Sequence, residues 1–299
     1  MQDPALETLG RSDVPVPGRP VRITLRRLTS LWFQVTGFLC NLECKHCLVD
    51  SSPRNNTMPF LDRTTVQSYL AEAESMGVKE IYFTGGEPFL HPELAALIED
   101  ALAVAPTTAL TNGTLITEAI AGTLRKLSDN SKYSLEIRVS MDHPEASEND
   151  RVRGPGSHAK ALRAVRRLQE AGLLPIVTAT EFAMSGDTSI HEAFVAMLRR
   201  EGIRYPRLKL LPVFHTGKLE DPASGSVVTE AMMSGIEPGF LQCSETRVVT
   251  TQGIYACPIL VGKREGFLYE GSLRRSSSVR LAHHACRTCY ETGMSCSNR

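Results

Sequence analysis

Short apolar, β-branched runs alternate with amphipathic segments along the chain from about residue 30. The runs are nearly continuous rather than strictly alternating, which is typical of strands that are covered on both faces. The predicted strands are Leu31–Gly37, Glu80–Thr84, Thr107–Leu110, Leu135–Ser140, Ile176–Thr180 and Leu208–Val213. The predicted helices are Thr64–Met76, Pro92–Ala105, Glu118–Leu127, Ala159–Ala171 and Ile190–Gly202. This succession predicts an α/β fold with a parallel sheet, either open and doubly wound or closed into a partial barrel.

Polar or glycine-rich motifs follow four consecutive predicted strands. A cysteine cluster follows the first strand, Gly-Gly-Glu-Pro at 85–88 the second and Thr-Asn-Gly at 111–113 the third, while Ser-Met-Asp at 140–142 closes the fourth. Folds of this class carry their chemistry at the carboxyl ends of the strands, which meet at one edge. The sequence therefore predicts one shared active site.

Charge and hydropathy exclude several function classes. Lys plus Arg equal Asp plus Glu at 33 each, so no overall field attracts a polyanion such as nucleic acid or an anionic membrane. No apolar run approaches the roughly 18 residues of a membrane span. The first 20 residues are polar and proline-rich, unlike a secretory signal. We expect a cytoplasmic protein with neither nucleic acid nor a membrane as its partner.

The eight cysteines fall into two groups, three at 40–47 and five after residue 242. In a long chain without an export signal this placement indicates metal or redox chemistry rather than a disulfide framework. Cys40, Cys44 and Cys47 have a C-x3-C-x2-C spacing on a loop. Three thiolates can bind three irons of a [4Fe–4S] cluster and leave the fourth iron open to an exogenous chelate. The alternative is a zinc site completed by His46 or by a remote ligand.

The cysteine triplet, followed by Gly-Gly-Glu-Pro at the next strand end, resembles the signature of the radical S-adenosylmethionine (SAM) superfamily. The resemblance implies a partial (β/α)6 TIM-like barrel. It also implies a [4Fe–4S] cluster on Cys40, Cys44 and Cys47 that binds SAM and cleaves it reductively. An electron from a flavodoxin- or ferredoxin-type donor would enter the cluster, and the resulting 5′-deoxyadenosyl radical would take a hydrogen atom from the substrate.

The same resemblance assigns contacts with SAM. Gly85, Gly86 and Glu87 would meet its amino group, whereas Asn112 and Ser140 would contact its ribose and carboxylate. The alternative for Asn112 and Ser140 is an ordinary turn residue.

The resemblance also suggests residues that would lie at the edge of this site. His46 stands where the family usually has an aromatic ring, and its own ring can stack on adenine. Asp142, Asp150 and Arg153 are expected on the substrate side.

The second cysteine group resembles the beginning of the SPASM pattern and its shorter twitch variant, which bind auxiliary iron–sulfur clusters. One auxiliary [4Fe–4S] cluster fits Cys243, Cys257, Cys286 and Cys289, and Cys296 is then the fifth thiol. Cys296 is a candidate hydrogen-atom donor, an alternative auxiliary ligand or an unused residue. A structural zinc site built from the four thiolates is the alternative for the group as a whole.

These inferences divide the chain into an extension at 1–29, a radical SAM barrel at 30–215 and a small auxiliary-cluster domain at 216–299. The extension is too short and irregular to bind a leader peptide, which favours a small, sugar-like natural product as substrate, with epimerisation or dehydrogenation as the outcome. Peptide modification, sulfur insertion, or a non-catalytic iron–sulfur or zinc protein are the alternatives.

Overall fold

The structure is a computed structural model that describes residues 18–180, 189–221, 227–275 and 277–293 together with residue 296. Its strands are β1 Arg22–Thr24, β2 Ser30–Gln34, β3 Glu80–Thr84, β4 Thr107–Thr111, β5 Leu135–Ser140, β6 Ile176–Thr180, β7 Leu208–Leu211, β8 Thr246–Thr250, β9 Gly253–Tyr255, β10 Phe267–Tyr269 and β11 Ser278–Arg280. Its helices are α1 Arg63–Ser75, α2 Leu94–Leu102, α3 Glu118–Asp129, α4 Ala146–Arg153, α5 Ser157–Glu170, α6 Ser189–Arg200 and α7 Ala285–Thr292.

Within the described residues one sheet has the strand order β10-β9-β8-β2-β3-β4-β5-β6-β7. Strands β2 to β7 are parallel neighbours in chain order, and helices lie between them. The described strands leave the sheet unpaired between β7 and β10. This arrangement confirms the predicted α/β fold with a partial β/α barrel.

Alternate residues of the first barrel strand face different cores. Leu31 and Phe33 on β2 are fully buried against the helices, together with Phe83 on β3. Trp32 points to the other face, where its ring stacks on Tyr82 with the centroids 4.1 Å apart. Because Trp32 and Tyr82 are direct partners in the parallel ladder, the register of β2 and β3 sets this stack. The inner face of the sheet is therefore lined by large side chains.

The first described strand pairs with a strand of the C-terminal segment, and that segment also extends the barrel sheet. Strand β8 lies parallel to β2 and extends the sheet on the side away from β3, and β9 returns antiparallel to β8. Strand β1, from the predicted extension, pairs with β11. The predicted division at 215/216 stays a prediction, because the sheet itself continues from β2 into β8.

Local signals explain most helix boundaries. Asp62 caps α1 as predicted, and its Oδ1 accepts a hydrogen bond from Thr65 N at 2.8 Å. Helix α2 is shorter than predicted at both ends, and a separate 3-10 turn at Pro88–Leu90 precedes it. No helix among the described residues is long and apolar enough to cross a membrane.

Candidate active site

The loop after β2 brings its three cysteines to one cavity. Cys40, Cys44 and Cys47 line a cavity of about 220 Å³ at the carboxyl ends of the barrel strands. Gly85, Gly86, Asn112 and Ser140, from the next three strand ends, line the same cavity. The structure therefore brings together the residues that the sequence placed at four separate strand ends.

The two glycines of the second motif allow the cysteine loop to dock against β3. A Cβ atom on Gly86 would lie 2.1 Å from the carbonyl oxygen of Leu39, the residue before Cys40. Gly85 has φ +156°, and a Cβ there would lie 2.1 Å from Thr36 Oγ1. Gly86 N also donates a hydrogen bond to Gly37 O at 2.9 Å. Only glycine fits this close backbone contact.

Hydrogen-bond donors surround the three sulfur atoms. Leu42 N lies 3.4 Å from Cys40 Sγ, Ser51 N lies 3.1 Å from Cys47 Sγ, and an Nη1 of Arg153 lies 4.0 Å from Cys44 Sγ. Burial raises the pKa of Cys40 to about 12 and also raises the pKa of Cys44. The free thiols of Cys40 and Cys44 therefore stay protonated at neutral pH, and metal binding must displace their protons. A three-thiol loop with donors to each sulfur, facing a cavity, fits a [4Fe–4S] cluster with one open iron.

Glu87 lies beside the cavity rather than in its wall. Its side chain is fully buried, and Oε1 accepts hydrogen bonds from Thr111 Oγ1 at 2.7 Å and from Phe89 N at 3.0 Å. Oε2 accepts from Asn112 N at 2.7 Å. Burial raises the pKa of Glu87 to about 7, although these hydrogen bonds oppose the shift. Its contacts support the neighbouring turn, and the predicted contact of Glu87 with SAM stays a prediction.

Asn112 joins two of the predicted motifs. Its Nδ2 donates to Asn41 Oδ1 at 2.8 Å and lies 3.7 Å from Cys40 Sγ, while its Oδ1 accepts from Thr114 N at 2.9 Å. Asn41, inside the cysteine motif, was not singled out from the sequence, although a polar residue between two ligand cysteines is a usable signal. The turn at 111–113 is thereby fixed to the cysteine loop.

Asp142 is buried and anchors neighbouring side chains, and its expected place on the substrate side stays a prediction. Its side chain is 0% exposed, and its oxygens contact His46 Nε2 at 2.6 Å, Arg153 Nε at 2.5 Å and Thr180 N at 2.9 Å. Burial opposes the charge on this carboxylate, yet Arg153 and His46 hold the pKa of Asp142 well below its usual range. Asp150, also expected on the substrate side, instead accepts hydrogen bonds from the first residues of α5. His46 and Arg153 line the cavity.

The five C-terminal cysteines line two cavities. Cys243, Cys257, Cys286 and Cys289 line a second cavity, whereas Cys296 lines the first cavity with the three-cysteine loop. Desolvation by the surrounding protein raises the pKa of Cys243 and that of Cys296 to about 12. In the described ranges no three His, Cys, Asp or Glu side chains converge on a point where a single ion would sit. The four thiols are spread around the wall of their cavity.

The backbone of Cys296 is held from two sides. An Nη1 of Arg138 donates to Cys296 O at 2.8 Å, and Cys296 N donates to Gln242 Oε1 at 2.8 Å. Arg138 is 2% exposed, lines the first cavity and lies over the Tyr82 ring at 5.5 Å. Arg138 and Trp32 also line the first cavity, but neither was predicted as a site residue from the sequence. Both lie on barrel strands, and a polar or aromatic residue at an inward-facing strand position is the signal that could have identified them.

A β/α barrel with a three-cysteine loop at the strand ends defines the class of this protein. Residues 35–198, more than half of the chain, match the profile of the Radical SAM superfamily, and the chain belongs to that superfamily. Members of the family use a [4Fe–4S] cluster and SAM, which confirms the cofactors predicted for the first cavity.

Two curated relatives are similar to part of this chain. The mycofactocin maturase MftC of Mycobacterium ulcerans is 35% identical over 136 residues, which cover 45% of this chain and 35% of the maturase. An AdoMet-dependent heme synthase of Oleidesulfovibrio alaskensis is 32% identical over 139 residues, which cover 45% of this chain and 34% of the synthase. The matches thus span about a third of the length of these relatives.

A solved structure shares the fold. The native anSMEcpe structure with bound AdoMet superposes with a TM-score of 0.58 at 18% sequence identity, covering 80% of this chain and 77% of that chain. The same protein has been solved with bound AdoMet and the Cp18Cys peptide, with a TM-score of 0.56 and 16% identity over 80% of this chain and 77% of that chain.

Proposed function

We propose that this chain is a radical SAM enzyme that removes a hydrogen atom from a residue of a peptide bound in the barrel. The observation that carries the proposal is the first cavity, where the three-cysteine loop meets Gly85, Asn112 and Ser140 and continues to the barrel interior. A relative named as a mycofactocin maturase, and a structural neighbour solved with the Cp18Cys peptide, support a peptide over the sugar-like molecule expected from the sequence.

Different residues of the first cavity have different roles in the proposed reaction. Cys40, Cys44 and Cys47 would hold the [4Fe–4S] cluster, and Gly85 and Gly86 give the cofactor access to backbone groups. Asn112 and Ser140 present polar side chains at the next two strand ends, where SAM would lie. When bound, the cluster and SAM together supply a 5′-deoxyadenosyl radical. The protein holds the target carbon close and keeps water out, and these contributions determine which carbon reacts.

The second cavity supports a further part of the proposal. Cys243, Cys257, Cys286 and Cys289 would hold one auxiliary [4Fe–4S] cluster, because four thiols around one cavity match the ligand number of such a cluster. Ile259 lines both cavities and therefore lies at the boundary between them. Cys257, two residues earlier, lines the second cavity. An auxiliary cluster there would lie next to the substrate region. A flavodoxin- or ferredoxin-type protein as the electron donor stays a prediction.

Among the outcomes expected from the sequence, epimerisation has one observation in its favour. Cys296 lines the first cavity, and its thiol also interacts electrostatically with Cys257 and Cys289 of the four-thiol set. A thiol there can return a hydrogen atom to a substrate carbon radical, forming a C–H bond and leaving a thiyl radical. One electron from the flavodoxin- or ferredoxin-type donor and one proton then restore the thiol. Deuterium from D2O would appear in the product, and Cys296→Ala would remove it while hydrogen abstraction continues.

The substrate class is tested with an extract of the producing organism grown on a deuterated carbon source. The anaerobically reconstituted enzyme is supplied with SAM, dithionite and size-separated fractions, and deuterium in 5′-deoxyadenosine marks the fraction that holds the substrate. A peptide substrate predicts that protease treatment of the active fraction abolishes the transfer. Transfer from a protease-resistant fraction of small molecules would overturn the peptide proposal.

A further inference from the structure

A buried arginine points at one of the three cysteines of the radical SAM loop. Arg153 is the last residue of α4, its side chain is 11% exposed, and its Nη1 lies 4.0 Å from Cys44 Sγ. The family resemblance did not mark this contact, because it joins residues 109 positions apart. The guanidinium is permanently charged at any accessible pH.

Asp142 fixes the position of that guanidinium. The carboxylate accepts a hydrogen bond from Arg153 Nη2 at 3.2 Å and forms an ion pair with Arg153 Nε at 2.5 Å, and it also binds His46 and Thr180 N. The adjacent backbone adds a second tie, since Lys45 N donates to Val152 O at 2.9 Å. The side chain of Arg153 is thus fixed by Asp142, and the end of its helix is fixed by Lys45. The Nη1 atom of the guanidinium faces Cys44.

The charges around Arg153 favour this arrangement. Burial disfavours a charged guanidinium, but Asp142 and the thiols of Cys44 and Cys47 hold the pKa of Arg153 above its ordinary value. At Cys44, the attraction from Arg153 exceeds the repulsion from Asp142. Lys218 also acts on Cys44, but it is paired with the partly exposed Glu43. Arg153 is therefore the dominant positive charge at this thiol.

We propose that Arg153 is a positioning residue that acts through Cys44 and makes the cluster on this loop easier to reduce. The proposal rests on the proposed function, because it requires the cluster on Cys40, Cys44 and Cys47. Reduction adds a negative charge to the cluster and its thiolates. A fixed positive charge beside one thiolate stabilises the reduced state more than the oxidised state, since hydrogen bonds and net charge around the sulfurs set cluster potentials. Asp142 keeps that charge in place.

The test is the midpoint potential of the cluster, measured by redox titration with EPR detection on reconstituted protein without SAM. Arg153→Gln is expected to shift the midpoint to a more negative potential, and Arg153→Lys, which keeps the charge, to shift it less. The matched control is Arg151→Gln on the same helix, whose partner is the exposed Glu148, and it should leave the midpoint unchanged. The Cys40, Cys44 and Cys47→Ala triple variant supplies the signal of any other cluster for subtraction.

A second variant covers the case in which Arg153→Gln fails to take up iron. Arg153→His carries its charge only at low pH, so its midpoint, taken relative to that of the wild-type protein at the same pH, should rise as the pH falls through the pKa of the new histidine. An unchanged midpoint in Arg153→Gln, or no such rise in Arg153→His, overturns the inference. Iron and EPR signals that are equal in the wild type and the triple-alanine variant would instead overturn the proposed function.

Discussion

The Glu87 carboxylate accepts a hydrogen bond from the backbone N–H of Asn112 at 2.7 Å, which joins the ends of β3 and β4 beneath the first cavity. Both carboxylate oxygens are occupied by donors, and the side chain is fully buried. Such a carboxylate fixes the geometry of the two turns that carry Gly86 and Asn112. The pair therefore connects two motifs that the sequence showed only as separate strand ends.

Glu87→Gln is expected to destabilise the fold by about 1–3 kcal/mol, because the amide NH2 must then face a backbone or hydroxyl donor. Denaturant unfolding under anaerobic conditions measures the change. The control is Glu93→Gln, since Glu93 is exposed and makes no capping hydrogen bond. Its effect should stay within about 0.5 kcal/mol. Equal effects of the two substitutions would contradict the role assigned to Glu87.

The titration of Glu87 should fall near neutral pH. Burial raises its pKa to about 7 from the model-compound value of 4.5. The folded state therefore binds this proton more tightly than the unfolded state, so the contribution to stability is present below about pH 4.5 and is lost as the pH rises through about 7. Difference infrared spectroscopy of wild type against Glu87→Gln measures the protonated carboxyl band. A midpoint near 4.5 would show that the three donors offset the effect of burial.

Gly86→Ala is expected to prevent the cysteine loop from docking, because the new Cβ would overlap the Leu39 carbonyl. We expect loss of the iron bound by the first cysteine group, measured as iron and sulfide content after anaerobic reconstitution. Gly122→Ala on α3 is the matched control, since a Cβ there meets nothing within 4 Å. It should retain iron and stabilise the helix by about 0.5–1 kcal/mol. Full iron content in Gly86→Ala would exclude the steric account.

Asp142→Asn should cost about 3 kcal/mol of stability, because it leaves the buried Arg153 without its carboxylate partner. Thermal and denaturant unfolding both report the change. Glu148→Gln removes one partner of the exposed pair with Arg151 and should change stability by less than about 1 kcal/mol. If Asp142→Asn were as mild as Glu148→Gln, the buried network would not be an anchor.

Most of the barrel could be predicted from the sequence. The bounds of β3, β5 and β6 agree with the prediction, because each is a short apolar run between clear turn signals. Helix α4 was missed because its sequence, Ala-Ser-Glu-Asn-Asp-Arg-Val-Arg, has little apolar periodicity. It forms because Asn149 and Val152 are buried against the fold. Tertiary contacts, rather than local pattern, decide this helix.

Long-range pairing could not be predicted in the same way. Strand β8 lies beside β2, although the two strands are far apart in sequence. The short run Thr246–Thr250 carries no local signal for its partner, so the C-terminal segment was expected to form only a small separate domain.

The site was predicted in part. Cysteine spacing identified the first triplet, and the strand-end motifs identified Gly85, Gly86, Asn112 and Ser140. The placement of Cys296 in the wall of the first cavity depends on the contacts of its backbone with Arg138 and Gln242. Such a contact cannot be predicted from the spacing of cysteines along the sequence. The buried connection of Asp142 to Arg153 is likewise a product of packing.

The account depends most on a cluster that Cys40, Cys44 and Cys47 hold with one iron open to SAM. The direct measurement is 5′-deoxyadenosine formed when dithionite is added to the anaerobically reconstituted protein with SAM. We predict formation by the wild type and by Cys296→Ala, and none by Cys44→Ala. Undiminished 5′-deoxyadenosine from Cys44→Ala would contradict the account.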